Sequence, residues 1–416
     1  MNPHLLRRSA LTALLALLLG SPAQAGIYMN LSGIPGTSDT IERKDWIDLQ
    51  SVQWGVGVGI SSAVGGANRE VSRPSFSDIV WSQDVDTSVP LLMNRLLSRQ
   101  SIDKSTIDLV APAQQKTAGK PYLQLETKHV AITGVSLANT SVSASQAYNS
   151  FSMSYDPIAF GQDKGDKVIA EYDLVTGKGT LRGAVPAAAD GSQEKVTSGI
   201  YMRLGSGDKA IAGSSRAENY ENWIRIDSAQ FGVGAAYGAG QARPGVPSLS
   251  ELTITQAFDQ TVPVVFHNLV SGQSIGQTVI DYVQSGQNGQ PVTFMRLVLE
   301  DVLFSSLSLS TGGDLPYVSE TLNFSKFSQT VWQIGTDGLP GESTSAGYDL
   351  ESMKSIGALQ LKDAARFGNG LAYLAASGST DTPPTAPAPI PEPRTALMML
   401  AGIGVLATVV RRRRMA

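Results

Sequence analysis

Gly26-Ile27-Tyr28-Met29 recurs as Gly199-Ile200-Tyr201-Met202, 173 positions further on. Trp46-Ile47 recurs as Trp223-Ile224 and Gly55-Val56-Gly57 as Gly232-Val233-Gly234, both at an offset of 177. At 173 again, Pro74-Ser75-Phe76-Ser77-Asp78-Ile79 matches Pro247-Ser248-Leu249-Ser250-Glu251-Leu252, Val89-Pro90 matches Val262-Pro263, and Ile107-Asp108 matches Ile280-Asp281. Tyr172-Asp173-Leu174 matches Tyr348-Asp349-Leu350 at 176. The order is kept throughout, and the small insertions between blocks fall where loops belong. A period this long means two tandem domains, since solenoid units run about 20–50 residues. The expected boundaries are 26–182 and 199–358, with 183–198 as a linker rich in Ala, Gly and charge.

Within each copy the pattern is mainly β. Ser150-Phe151-Ser152-Met153-Ser154-Tyr155 and Ser306-Leu307-Ser308-Leu309-Ser310 alternate polar and apolar residues, so one face meets a core. Gly, Pro, Asn and Asp punctuate the runs, as a sandwich or barrel demands. One helix stands out per copy. Ser88 is placed to cap Val89–Leu97, with Pro90 in the first turn, where a missing N–H costs little. Val89, Leu92 and Leu96 share a face and predict packing against the sheet. The counterpart runs from Thr261 to Leu269 and stops at Gly272.

The two ends read as addresses. Arg7 and Arg8, the apolar run Ala10–Leu19 and the small residues Ala23 and Ala25 make a secretory signal, with the mature chain beginning at Gly26. Ten apolar residues rise only ~15 Å as a helix, too little to span a bilayer. At the other end, 359–390 is a variable segment ending in a Thr/Pro/Ala-rich linker. Pro391-Glu392-Pro393 follows, then an apolar helix over Thr395–Val410, then Arg411-Arg412-Arg413-Arg414 as a stop-transfer block. That order resembles the PEP-CTERM sorting signal. The resemblance implies export through the secretory translocon, transient membrane anchoring and processing by an exosortase, in Gram-negative bacteria that export polysaccharide.

The repeated body resembles a second family. Ile27-Tyr28-Met29-Asn30-Leu31-Ser32-Gly33-Ile34-Pro35-Gly36, Trp46-Ile47-Asp48-Leu49 and Gln53-Trp54-Gly55-Val56-Gly57 are similar to the opening of the haemolysin-coregulated protein family, Hcp. Asn323-Phe324-Ser325-Lys326 and Tyr348-Asp349-Leu350 are similar to its last strands. The resemblance implies two tandem β-barrels, each with one flanking helix, and association into hexameric rings that stack as the tube of the type VI secretion machine. A tube subunit is normally a single cytoplasmic domain without a cleaved signal, so a fold shared without the job is the expectation here.

Little of the chain invites chemistry. It has no Cys among its 416 residues, which removes disulfides, thiol catalysis and Cys-based zinc sites. His129 in a strand and His267 in a helix are not equivalent between the repeats and have no second His nearby, so no metal site is expected. Glu126 falls on the opposite strand face from His129. No Gly-x-Ser-x-Gly elbow occurs. The tracts Gly55–Gly59 and Gly232–Gly234 lack dinucleotide spacing, and Gly177-Lys178-Gly179-Thr180 lacks the upstream glycine of a P-loop; strands passing a close neighbour explain the tracts better. Asp84 and Asp86 read as a solvated loop rather than a glycosidase pair. Trp46, Trp223 and Trp54 (Phe231 in the second copy) read as core or inter-domain packing, whereas Trp81 and Trp332 are the candidates for exposed carbohydrate stacking.

Away from its ends the chain carries 25 basic against 35 acidic residues, net −10, the wrong sign for nucleic acid. The reading is a secreted, non-enzymatic assembly protein without cofactor, whose expected partners are itself, as a ring that three two-domain chains would close, and the export machinery. The alternatives are a carbohydrate-binding module of an exopolysaccharide layer, a relative of type VI tube or effector proteins, and a matrix hydrolase.

Overall fold

A computed structural model of the protein describes residues 26–361 except 67, 112–118, 120, 139–147, 163–167, 184–193, 197, 237–244, 287–290 and 312–315. The secretory signal with Ala23 and Ala25, the Pro391-Glu392-Pro393 motif, the C-terminal apolar helix and Arg411–Arg414 lie outside the described residues.

The first repeat is β1 (Gly26–Leu31), β2 (Ile47–Gly57), β3 (Ser75–Phe76), β4 (Ile79–Asp84), helix α1 (Ser88–Ser98), β5 (Ile102–Val110), β6 (Pro121–Ala138), β7 (Tyr148–Ser154), β8 (Pro157–Gln162), β9 (Val168–Asp173) and β10 (Lys178–Arg182). The second repeats it as β11 (Gly199–Arg203), β12 (Ile224–Ile226), β13 (Ser228–Gln230), β14 (Val233–Ala235), β15 (Pro247–Leu249), β16 (Leu252–Ala257), helix α2 (Val262–Ser271), β17 (Gly276–Ser285), β18 (Pro291–Thr311), β19 (Tyr317–Asn323), β20 (Lys326–Ile334), β21 (Pro340–Asp349) and β22 (Lys354–Ile356). The protein is mainly β, as the alternating runs predict.

In the first repeat the antiparallel pairings run β1–β5, β5–β6, β6–β7, β7–β4, β4–β2 and β2–β1, and so return to their start. The long strand β6 serves this circuit twice: its first half bonds β5 and β8, its second half β7. The second repeat closes the same way, with β12 and β13 together standing where β2 stands. His129 and Asp301 occupy equivalent places in β6 and β18 and share a left-handed backbone, φ 50° and 56°. Both long strands are bulged shortly afterwards, at Ile132/Gly134 and Phe304/Ser306, which bends each onto its second partner. Gly36 and Gly213 are repeated for one reason: a Cβ there would stand 2.3 Å from the carbonyl oxygen of Trp46 or Trp223.

The helices begin and end as twins. Asp86 Oδ1 accepts the Ser88 N–H at 3.0 Å and Asp259 Oδ1 accepts the Thr261 N–H at 2.9 Å. The cap is therefore the aspartate two residues upstream. Ser88, expected to cap, instead donates its own hydroxyl to Asp86. The exits are left-handed, at Arg99 (φ 56°) and Gly272 (φ 62°). On α1, Val89 and Leu92 are buried and Leu96 packs against the core, the face that sequence periodicity predicts.

One apolar core runs through both repeats, and the second repeat carries a small further cluster around Tyr201, Tyr220 and Trp223. Val196, near the end of the inter-repeat segment, is buried in that cluster, and Glu194 bridges to Ala217. Glu194–Val196 of the expected linker are thus packed on the second repeat. Leu359 and Leu361 pack on the same cluster from the other end of the chain.

Candidate functional site: the joint between the repeats

The two repeats share a sheet. Val52–Gly57 of β2 pairs antiparallel with Ser306–Thr311 of β18, with Gly55 opposite Ser308. A Cβ on Gly55 would lie 3.2 Å from the Leu307 carbonyl oxygen and 3.4 Å from Ser308 Cβ, so the glycine tract is where one strand passes the next repeat closely. Beside this seam, α2 lies on β8, β9 and β10 of the first repeat. Its Phe266 ring enters an aromatic pocket, with ring centroids 5.9 Å from Trp54, 6.0 Å from Phe160 and 6.2 Å from Phe76. Gly179 of β10 leaves room for Val270, whose Cγ2 would stand 3.0 Å from a Cβ there. Arg69, on the loop after β2, reaches across the seam to both the carbonyl and carboxylate oxygens of Asp301, and to Asn323 Oδ1 at 2.9 Å.

One side of each repeat is used in this joint, and its repeat-equivalent is open. Leu309 on β18 is 0% exposed, whereas its counterpart Leu137 on β6 is 55% exposed. Val56 on β2 is 4% exposed and its counterpart Val233 on β14 56%. Val270 on α2 is 8% exposed and its counterpart Leu97 on α1 75%. These are equal or similar residues at equal places in one fold. Each differs by what covers it.

Each repeat also buries one aspartate of the repeated Ile-Asp pair, and the cation reaches it from different elements. Asp108 accepts from Arg43 Nε at 2.9 Å and from Gln124 Nε2 at 2.7 Å. Asp281 accepts from Arg296 Nε at 2.6 Å and Nη2 at 2.7 Å, with the Tyr220 hydroxyl at 3.4 Å. By repeat position Arg43 corresponds to Tyr220 and Gln124 to Arg296, so the arginine has changed element while the ion pair is kept. A buried acid without its cation would be costly.

The remaining sequence candidates do not converge on a reaction centre. His129 Nδ1 lies 3.5 Å from Asp156 Oδ2 in an exposed pair. His267 is on α2, and burial pushes its imidazole below the ordinary range. Asp84 takes Gln50 as its partner while Asp86 caps α1, so the two are not a facing pair, and Asp86 is not the solvated loop residue expected. Gly177 closes the β9–β10 turn and Lys178-Gly179-Thr180 opens strand β10. Trp81 is not exposed: it stacks on Phe151 at 5.3 Å inside the first core, because period two on β4 points it inward. Trp332 is half-buried, with the Arg296 guanidinium 5.8 Å from its ring. Trp223 is fully buried and Trp46 half-buried. Among the described residues no group of three or more His, Cys, Asp or Glu is placed to hold a metal ion, and no helix is long and apolar enough to cross a membrane.

Glu320 was missed in the sequence. It is wholly buried on β19, where the first repeat has Phe151, and accepts from Gln256 Nε2 at 3.0 Å. Burial, with Asp259 nearby, pushes its carboxyl up to about 8. Phe266 was missed as well, although Val262–Val270 is apolar on nearly every side, a sign of a helix covered twice.

The geometry defines a tandem of two like β domains, each with one flanking helix, joined edge to edge. The sequence model of the type VI secretion system effector family Hcp matches residues 28–161 and 201–331, more than half of the chain. The chain belongs to that family, as a tandem of two Hcp-like domains. The PEP-CTERM protein-sorting motif matches 389–414. Among solved structures, a type six secretion system protein aligns with 17% identity and a TM-score of 0.35 over 38% of this chain and 99% of its own. Hcp1 from Salmonella typhimurium gives 18%, 0.32, 38% and 99%, and the secreted protein Hcp3 from Pseudomonas aeruginosa 18%, 0.28, 36% and 98%. Among curated proteins none matches.

Proposed function

We propose that this is a secreted, non-enzymatic structural protein that assembles through its Hcp-like domains at the cell surface or in the extracellular matrix. Domains 26–182 and 199–358 are read as closed barrels linked by 183–198. The signal is removed after Ala25. Residues 359–390 connect the second domain to the sorting signal at 391–414, where an exosortase acts at Pro391-Glu392-Pro393 while the apolar helix and Arg411–Arg414 hold the chain in the membrane. Three chains, each supplying two of six places, close a ring. The observation that carries this reading is the joint itself, which uses one side of each repeat and leaves the equivalent side of the other open. A contact between unlike sides repeats head to tail, and a closed ring is the bounded outcome. Exopolysaccharide is the second candidate neighbour outside the cell, with the half-buried Trp332 as the stacking candidate.

Intact-mass measurement and light scattering on protein recovered from the surface or medium test this together. The expected results are an N-terminus at Gly26, loss of Arg411–Arg414 and a mass of three chains. A retained tail or a single-chain mass at micromolar concentration would overturn the corresponding half.

A further inference from the structure

The first repeat carries a hollow on a sheet face that the second repeat fills. Strands β6, β8, β9 and β10 turn alternate side chains away from α2, which meets this sheet on the Gly179 side. On the outer side they enclose a trough of about 460 Å³, within the range of small-ligand sites. Every residue lining it is described. Its floor is low because β8 contributes only Pro157 and Ala159 to that face. Its walls are charged, with Glu126 and Lys128 on β6 facing Glu171 on β9 and Lys178 on β10.

The carboxylates there already have partners. Glu126 takes Lys104 at 3.0 Å, and Glu171 takes Arg182 at 2.8 Å. Asp173 accepts the Val175 and Thr176 N–H groups at 2.9 Å each. The ammonium groups of Lys128 and Lys178 make no ion pair among the described residues, and both side chains are exposed. By register they end one row, Lys128–Pro157–Asp173–Lys178, with backbones about 14 Å apart. Their four-carbon stems can lean over the low floor from opposite walls.

The second repeat is an internal control. The pairings equate Pro157 with Lys326, Ala159 with Ser328, Glu126 with Val298 and Glu171 with Gly347. Lys326 rises from the floor to Asp349 at 3.4 Å. Ser328 Oγ accepts the Leu359 N–H at 2.9 Å as the chain crosses that face. The low floor between charged walls belongs to the first repeat.

We propose that this trough binds an acidic saccharide of two or more units, Lys128 and Lys178 taking its carboxylates and Thr176, Thr180 and Glu171 its hydroxyls. A lining of donors and acceptors together suits a polyol, and the two uncommitted ammonium groups call for acid groups on it. Three carboxylates around the trough disfavour a phosphate backbone, which offers only negative charge. The proposal deepens the glycan reading given above, at a place other than Trp332, and its failure leaves the assembly reading standing.

Titration of the exported protein with digalacturonate, followed by saturation-transfer NMR, tests it, with maltose as the neutral control of equal size. Digalacturonate is expected to bind roughly tenfold or more tightly than maltose, and more weakly as salt rises to about 0.15 M. Lys128→Gln with Lys178→Gln is expected to weaken it by roughly tenfold or more at an unchanged melting temperature. Lys354→Gln, the second-repeat counterpart of Lys178, is expected to change nothing. Equal binding of maltose, or undiminished binding by the double variant, overturns the assigned lysines. Equal binding of a short glutamate peptide overturns the saccharide. No binding of any probe overturns the site, while the mass measured on the same sample judges the ring separately.

Discussion

Helices α1 and α2 occupy the same place in the same fold, yet α2 buries seven of its ten residues and α1 three of eleven. The difference lies in their neighbours. α2 packs on its own repeat and on β8–β10 of the other, whereas among the described residues the main strand neighbour of α1 is β6 of its own repeat. Sequence followed suit: Val264, Phe266 and Val270 in α2 stand where α1 has Leu91, Met93 and Leu97. The lesson is that repeat-equivalent positions diverge where the assembled environment differs and agree where it does not, as at Leu92 and Val265, both fully buried.

The sharpest way to break this comparison is to truncate both helices at the same place. Phe266→Ala is expected to cost about 4 kcal/mol, the range for a buried aromatic, while Met93→Ala costs under about 1 kcal/mol in the separated chain. Denaturant melts of the two variants measure it. Equal losses would show that the joint contributes nothing particular to α2.

Next in size is the exchanged ion pair. Arg296→Gln strands Asp281 in the second core and is expected to cost about 3 kcal/mol or more. Adding Tyr220→Arg recreates the Arg43–Asp108–Gln124 arrangement of the first repeat and is expected to recover part of that loss. A double variant no better than the single one would mean that the two sites are not interchangeable.

Glu320 separates the repeats by pH. Its folded carboxyl is pushed up to about 8, far above the ordinary value near 4.3, so the folded state holds a proton that the unfolded state has already released. Stability is therefore expected to fall as pH rises from about 5 to 8, by on the order of 3 kcal/mol, and to level off beyond. Glu320→Gln removes that slope. Melting temperatures across this range check it, and an unchanged slope in the variant would assign the effect elsewhere.

The smallest effect is at the helix exits. Arg99 adopts the left-handed conformation that Gly272 supplies at no steric cost, so Arg99→Gly is expected to stabilise the first repeat by up to about 1 kcal/mol. A lower melting temperature would show that the Arg99 side chain contributes more than its backbone costs.

Much of the molecule was legible beforehand. Repeated blocks, period-two strands and Pro90/Pro263 placed the domains and their helices, because local propensity and pattern act over a few residues. The glycine tract at Gly55–Gly57 was legible as a close passage, though not what passes there. Ser88 reads as the cap in the sequence, but Asp86, two residues earlier, offers the better acceptor. Trp81 reads as a surface candidate because it has no aromatic counterpart at Ile254, and a missing match says nothing about the direction of a side chain.

By itself, the sequence determined that two like β domains follow one another without cysteine, ahead of a PEP-CTERM sorting motif. Those features reside in repetition, alternation and composition, which need no knowledge of distant contacts. Only the tertiary structure decided which copy of each surface is covered, that Phe266 enters a pocket of the other repeat, and that Arg43 and Arg296 reach equivalent aspartates from different elements. These depend on residues tens to hundreds of positions apart becoming neighbours. Burial, and with it the charge state of Glu320 and the exposure of Leu97, is a property of that neighbourhood and not of the residue.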